Sequence, residues 1–115
     1  MKLIIMATLV ILPVALYPNP VKAEQCDGST AEMVACGQRL FNKADARLNA
    51  VWQSLPKNKQ NTLRDAQLKW IEYKERKCKA EASAIAEGGT MKPLIELGCL
   101  IGETEKRTAE LEAFL

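Results

Sequence analysis

The sequence predicts an all-α protein, an antiparallel three-helix bundle that carries two disulfides. In three successive segments apolar residues recur every three or four positions, and no stretch of useful length alternates between apolar and polar residues. The connections between the segments are short, which places neighbouring helices side by side in opposite directions. Four cysteines, an even number in a short exported chain, predict the two disulfides: Cys26, Cys36, Cys78 and Cys99.

The first 23 residues have the layout of a secretory signal peptide. Lys2 gives a positive start, residues 3–16 form an uncharged apolar run, and the segment ends at the small residue Ala23. We expect cleavage after Ala23, export to the periplasm or the exterior, and one helical domain over residues 24–115. A membrane anchor is the alternative, but prolines interrupt the run, and spanning a bilayer takes about 20 apolar residues.

The charge of the exported part argues against a nucleic-acid partner. Loss of Lys2 and Lys22 reduces the 16 basic residues to 14, which equals the number of acidic residues. This balance predicts no basic surface that would bind the phosphates of a nucleic acid. Residues 24–78 hold ten basic and seven acidic side chains, and residues 79–115 hold four and seven. This asymmetry could orient a protein partner, although ordinary variation of a solvated surface explains it equally well.

The first helix is predicted to start at a capping box, in which Ser29 and Glu32 bond each other's backbone N–H groups. It is predicted to end before Pro56, which breaks the pattern. The apolar residues between these two signals share one helical face: Val34, Leu40, Phe41, Ala44, Leu48, Val51, Trp52 and Leu55.

The second and third helices are predicted on either side of Gly88-Gly89, because two glycines favour a turn. The second covers about residues 58–87, and the third starts between residues 90 and 93. The second helix is expected to bury Leu63, Ala66, Trp70 and Tyr73, with Ile71 and Lys77 beside them. The third has the clearest apolar stripe: Leu94, Leu97, Ile101, Thr104, Thr108, Leu111 and Leu115.

Hairpin geometry leaves two disulfide pairings open. Cys78 lies about level with Cys36 around the first turn and with Cys99 around the second. The pairs are therefore Cys26–Cys36 with Cys78–Cys99, or Cys36–Cys78 with Cys26–Cys99. We prefer the first pairing, which closes two local loops and stabilises the fold by about 3 kcal/mol per bridge. Redox catalysis and zinc binding are not expected, since the sequence has no C-x-x-C motif and no histidine.

The sequence lacks the residue patterns of common enzyme chemistries. Without histidine it has neither the commonest general base nor the usual nucleophile pairs. It also has no G-x-S-x-G, H-E-x-x-H or phosphate-binding glycine loop. Two carboxylates could act as acid and base, but most acidic residues occupy positions expected to be exposed on helices. We therefore expect a protein-binding module that needs no cofactor or metal.

An ordered series of motifs resembles the LprI-like lysozyme-inhibitor family of small exported bacterial proteins. The series comprises T-A-E-M between Cys26 and Cys36, A-D-A-R-L-N at 44–49, A-Q-L-K-W-I-E-Y at 66–73 before Cys78, G-G-T-M-K-P at 88–93 before Cys99, and T-E-K-R at 104–107. Together these motifs span nearly all of residues 24–115. One departure is Lys74-Glu75, where the family often has Arg-Asp, and lysine lacks the bidentate pairing of arginine.

The resemblance implies a periplasmic or secreted inhibitor that blocks the glycan cleft of a lysozyme sterically. The implied partner is a lysozyme or another cell-wall hydrolase, and an acidic C-terminal third could attract a basic one. The candidate acids are Glu96, Glu103, Glu105, Glu110 and Glu112. The alternatives are an immunity protein against a wall-degrading toxin and an exported envelope-interaction module that inhibits no lysozyme.

The same motifs supply a polar and aromatic cluster: Asp45, Asn49, Gln67, Trp70, Tyr73, Thr104 and Arg107. Asp45 and Asn49 lie one helical turn apart, so both can face one neighbour. We expect them to meet Gln67 at the helix interface near Trp70 and to fix helix register, because buried polar groups need partners. Contact with a binding partner is the alternative role for these residues.

Overall fold

A computed structural model of the chain describes residues 25–115, which fold into three helices: α1 (Thr30–Ser54), α2 (Lys57–Ile85) and α3 (Lys92–Glu112). No strand occurs in this described part, so the all-α prediction is confirmed. The expected signal peptide, residues 1–23, lies outside the described residues.

α1 begins at the predicted capping box. The Ser29 hydroxyl accepts a hydrogen bond from the backbone N–H of Glu32 at 3.2 Å, and the Glu32 carboxylate accepts one from the Ser29 N–H at 3.4 Å. Two N–H groups that a helix start leaves without partners are thereby satisfied. The predicted apolar face is the core face, where these residues are buried: Leu40, Ala44, Leu48, Val51 and Leu55.

A buried glutamine holds the turn between α1 and α2. The Gln60 side-chain amide donates to the carbonyl oxygens of Trp52 at 2.9 Å and Leu55 at 3.1 Å. Carbonyls at a helix C-terminus lack partners within the helix, so these bonds cap the end of α1. They also fix the direction in which α2 returns along α1 after Pro56.

α3 packs against both other helices, which confirms the bundle. Arg47 of α1 pairs with Glu112 at 2.7 Å, and Lys77 of α2 pairs with Glu103 at 3.1 Å. Lys77 also bonds Glu81 at 3.0 Å, and these carboxylates, Glu81 first, raise the pKa of Lys77 above its ordinary value. The Arg47–Glu112 and Lys77–Glu103 pairs are partly buried and join α3 to each of the other two helices, so we assign them to the orientation of α3.

The core lies between α1 and α3. Its centre is formed by Leu48, Val51, Leu55 and Leu111. Towards the start of α1 a glycine allows close approach of the two helices, since a Cβ on Gly37 would lie 3.2 Å from the Leu97 Cδ1 atom.

The disulfides are Cys26–Cys36 and Cys78–Cys99, the preferred of the two pairings. The first ties the segment before α1 to the first turns of that helix. The second joins α2 to α3 near the turn that Gly88 makes with a positive φ of 72°. No cysteine of the described part is free.

The predicted core face of α2 is wrong in part: Leu63 and Trp70 pack against the core as expected, but Ala66 and Tyr73 do not. Tyr73 is 57% exposed and Ala66 is exposed, whereas the buried residues are Gln60, Gln67, Lys74, Cys78 and Ala82. The buried face of α2 is largely polar because three of its side chains have partners elsewhere in the fold. Gln60 bonds the α1–α2 turn, Gln67 bonds Arg107 of α3, and Lys74 lies over the Phe41 ring of α1. The prediction for Leu115 is also wrong, since α3 ends at Glu112 and leaves that side chain 52% exposed.

Candidate functional site

A groove of about 550 Å³ lies between α1 and α2. Its volume is in the range of ligand-binding clefts. α1 contributes Phe41, Asp45, Leu48, Asn49 and Trp52, and α2 contributes Arg64, Gln67, Leu68, Ile71, Lys74 and Glu75. The lining is thus a mixture of aromatic, aliphatic, amide and charged side chains, all supplied by two rigid helices.

Burial divides the lining into a floor and a rim. Leu48, Gln67 and Lys74 are buried and form the floor, while half-buried aromatic rings flank them. The rim is exposed and carries both signs of charge together with one aliphatic side chain: Asn49, Arg64, Leu68 and Glu75. The groove thus presents aromatic and aliphatic surface beside a buried amide and a buried cation, within a charged edge.

Lys74 is the buried charge among the groove residues whose site role the sequence analysis missed. The side chain is 5% exposed, and its Nζ atom lies 4.6 Å from the ring centroid of Trp70 and 5.4 Å from that of Phe41. Cation–π contacts contribute about 2 kcal/mol when desolvated. The four-residue spacing of Trp70 and Lys74 on one helix was the available signal, but Phe41 comes from another helix.

Asp45, Asn49 and Gln67 border this groove, but the expected polar cluster is divided. The Asn49 amide nitrogen lies 3.5 Å from the Asp45 carboxylate, a long contact that is exposed. Gln67 is oriented by α3, since its side-chain oxygen accepts a 2.8 Å hydrogen bond from Arg107 Nε. Gln67 and Arg107 therefore fix the position of α2 on α3, and Asp45 and Asn49 remain on the groove edge.

The other residues of the motif cluster are not part of the groove lining, although Trp70 contacts the lining residue Lys74. Trp70 packs against the core, and Thr104 is completely buried. The Thr104 hydroxyl has no hydrogen-bond partner among the described residues. Tyr73 borders a different surface depression, together with Lys69 and Arg76.

The acidic C-terminal third is largely engaged within the chain. Three of its five candidate acids form ion pairs: Glu103 with Lys77, Glu110 with Arg107, and Glu112 with Arg47. Carboxylates held in this way offer less charge to a partner. We therefore take the groove between α1 and α2, and not the acidic C-terminal third, as the candidate binding surface.

Residues 25–115 lack two features that would indicate other functions. This part contains no group of three or more side chains placed to hold a metal ion. Nor does it contain a helix with the length and apolar composition needed to span a bilayer.

The sequence is similar to one known protein family and to a bacterial relative. A family model described as lysozyme inhibitor LprI matches residues 21–111. The chain is 31% identical over 104 residues to a protein of Rhizobium meliloti (strain 1021) named "Uncharacterized protein R02472", with 76% of this chain and 74% of that protein covered. No solved structure matches the chain.

Proposed function

This chain belongs to the LprI family of lysozyme inhibitors, and from that premise we propose that it is an exported protein that binds a lysozyme and blocks its glycan cleft. The leader at residues 1–23 would direct it to the periplasm or the exterior. The proposal of a binding surface rests on the groove between α1 and α2, where Leu68 is exposed and Phe41, Trp52 and Ile71 are partly exposed.

Leu68 is the most informative of these side chains. It is 56% exposed at the edge of a groove whose interior includes Phe41 and Trp52. Leu68 shares the groove with the partly exposed Phe41, Trp52 and Ile71, and a contiguous apolar surface of this kind marks a site of association. Burial of Leu68 by a partner would remove this surface from water and stabilise the complex.

The groove would supply about half of an interface. Eleven residues line it, whereas a standard interface uses about 20–30 residues on each side. The remainder would come from the neighbouring exposed faces of α1 and α2. Both helices are held by the turn at Gln60 and by the packing of α3, so little conformational freedom is lost on binding.

Inhibition would require only occlusion. A rigid helical domain bound beside the glycan cleft excludes the polysaccharide by its volume, and no bond of the inhibitor is made or broken. This mechanism agrees with the absence of histidine from the chain. The rim charges Asp45, Arg64 and Glu75 would select partners with the complementary pattern and accelerate their encounter.

The substitution Leu68→Glu is expected to raise the concentration for half-inhibition of lysozyme by about tenfold or more, because it places a charge at a desolvated contact. The assay is the clearing of a bacterial cell-wall suspension by a panel of lysozymes in the presence of the oxidised protein. Thermal unfolding should change little, since Leu68 is exposed.

Ile85→Glu is the matched control for this experiment. Ile85 is 72% exposed at the end of α2 and does not line the groove. Its variant should inhibit as the unmodified protein does. Equal inhibition by both variants would rule out the groove as the contact surface, and no inhibition by the unmodified protein would favour an envelope-interaction or immunity role instead.

A further inference from the structure

We propose that Lys74 anchors the bound partner by taking the carboxylate of one acidic side chain, carried on a lysozyme segment with apolar neighbours. This inference rests on the proposed function and names the chemistry of the segment that enters the groove.

Lys74 lacks the partner that a buried charge normally has. Its side chain is 5% exposed, yet it forms no ion pair or hydrogen bond with any described residue. Its cationic group is held only by the rings of Phe41 and Trp70. Buried charges are usually paired because desolvation opposes the charged form, so an unpaired one in a binding groove points to an anionic ligand.

The ammonium group remains reachable from the groove. Lys74 lines the groove and is 5% exposed, so a ligand that fills the groove can contact its side chain. The two rings hold the lysine side chain in one position. A carboxylate that enters would therefore meet a preorganised cation in a partly desolvated place, where charge-assisted hydrogen bonds are strong.

The aromatic rings favour a polypeptide over a sugar as the occupant. A sugar binds aromatic residues by stacking on a free ring face, and the Lys74 ammonium occupies one face of Phe41 and one face of Trp70. Trp52 packs against the core. The aliphatic residues Leu68 and Ile71 that also line the groove suit apolar side chains on either side of the carboxylate.

The rim limits how acidic the segment can be. Asp45 and Glu75 border the groove and would repel additional carboxylates. A single acidic residue among apolar and neutral or basic neighbours therefore fits best. A basic lysozyme can carry a segment of this kind. It is not expected to carry a uniformly acidic one.

The first test measures lysozyme affinity by titration calorimetry at low and moderate ionic strength. Lys74→Met should weaken binding about 10- to 100-fold, since it removes a charge-assisted bond and keeps the aliphatic packing. Lys74→Arg should retain most of the affinity, because arginine also stacks on rings and binds carboxylates. The matched control is Lys69→Met on the exposed side of α2, which should leave the affinity unchanged.

The second test needs neither lysozyme nor a variant. The chain has two tryptophans, Trp52 in the groove lining and Trp70 against Lys74, so two indole N–H signals in a ¹⁵N spectrum of the oxidised protein report on the site. The peptide acetyl-Leu-Glu-Leu-amide should shift both signals, and acetyl-Leu-Gln-Leu-amide should shift them less. N-acetylmuramic acid is the third ligand, and it tests whether the groove prefers a sugar acid to a peptide.

The outcomes separate this inference from the proposed function. If lysozyme is bound but Lys74→Met keeps full affinity and the two peptides act alike, the anchor is wrong and the inhibitor proposal stands. If no lysozyme is bound but the Glu peptide shifts the indoles selectively, the inhibitor proposal falls and the lysozyme segment falls with it, and only the carboxylate-binding role of Lys74 stands. Preferential response to N-acetylmuramic acid, or indole shifts that accompany self-association, would overturn the anchor in favour of a sugar acid or a second copy.

Discussion

Replacement of Leu111 by alanine is expected to lower the free energy of unfolding by about 2–5 kcal/mol. Leu111 is completely buried and packs with Leu48, Val51 and Leu55 at the centre of the core. The loss combines the transfer of apolar atoms with the cavity that remains between α1 and α3. Because domains of this size are stable by only about 5–15 kcal/mol, urea unfolding followed by circular dichroism would measure the change easily.

Leu115→Ala is the control for this prediction. Leu115 lies beyond the end of α3 and is 52% exposed, so its removal should change stability by less than about 0.5 kcal/mol. The two leucines are one helical turn apart in the sequence. A similar loss of stability for both variants would mean that the apolar face of α3 stays buried beyond Glu112. That result would contradict the structure.

Removal of the Cys78–Cys99 disulfide by a double alanine substitution is expected to destabilise the protein by about 3 kcal/mol. The bridge closes the loop that contains the α2–α3 turn, and its loss increases the conformational freedom of the unfolded chain. Cys78 is completely buried, so the alanine also leaves unfilled space. Thermal and urea unfolding of the oxidised protein would give the change.

The double alanine variant at Cys26 and Cys36 is the comparison. This bridge holds only the short segment before α1, so its loss should leave the packing of α2 on α3 intact. We therefore expect the Cys78–Cys99 variant to lose more stability and more lysozyme affinity, since α2 forms one wall of the groove. A larger loss on removal of Cys26–Cys36 would contradict this ranking.

α1 and the helix bounds could be predicted because their signals are local. The Ser29–Glu32 capping box sets the start of α1, Pro56 marks its end, and one apolar stripe faces the core. The turn at Gly88 follows from the same kind of information. In these places propensity, capping and apolar periodicity agree, so the sequence alone determines the element.

The buried face of α2 could not be predicted from apolar periodicity because much of it is polar. Gln67 is buried through its bond to Arg107, and Lys74 through its position against Phe41 and Trp70. Arg107 and Phe41 belong to other helices, so their positions depend on how the three helices pack. The groove could not be predicted for the same reason, since its two walls, α1 and α2, are brought together only by the tertiary fold.

Oxidative footprinting of side chains in the lysozyme complex tests the central claim most directly, namely that the groove between α1 and α2 is the contact surface. Leu68 and Tyr73 lie on the same helix and are exposed to nearly the same degree, 56% and 57%, but Leu68 alone borders the groove. We expect saturating lysozyme to protect Leu68 from oxidation severalfold and to leave Tyr73 unchanged. Protection of Tyr73 with continued oxidation of Leu68 would place the partner on the other face of α2 and contradict the account.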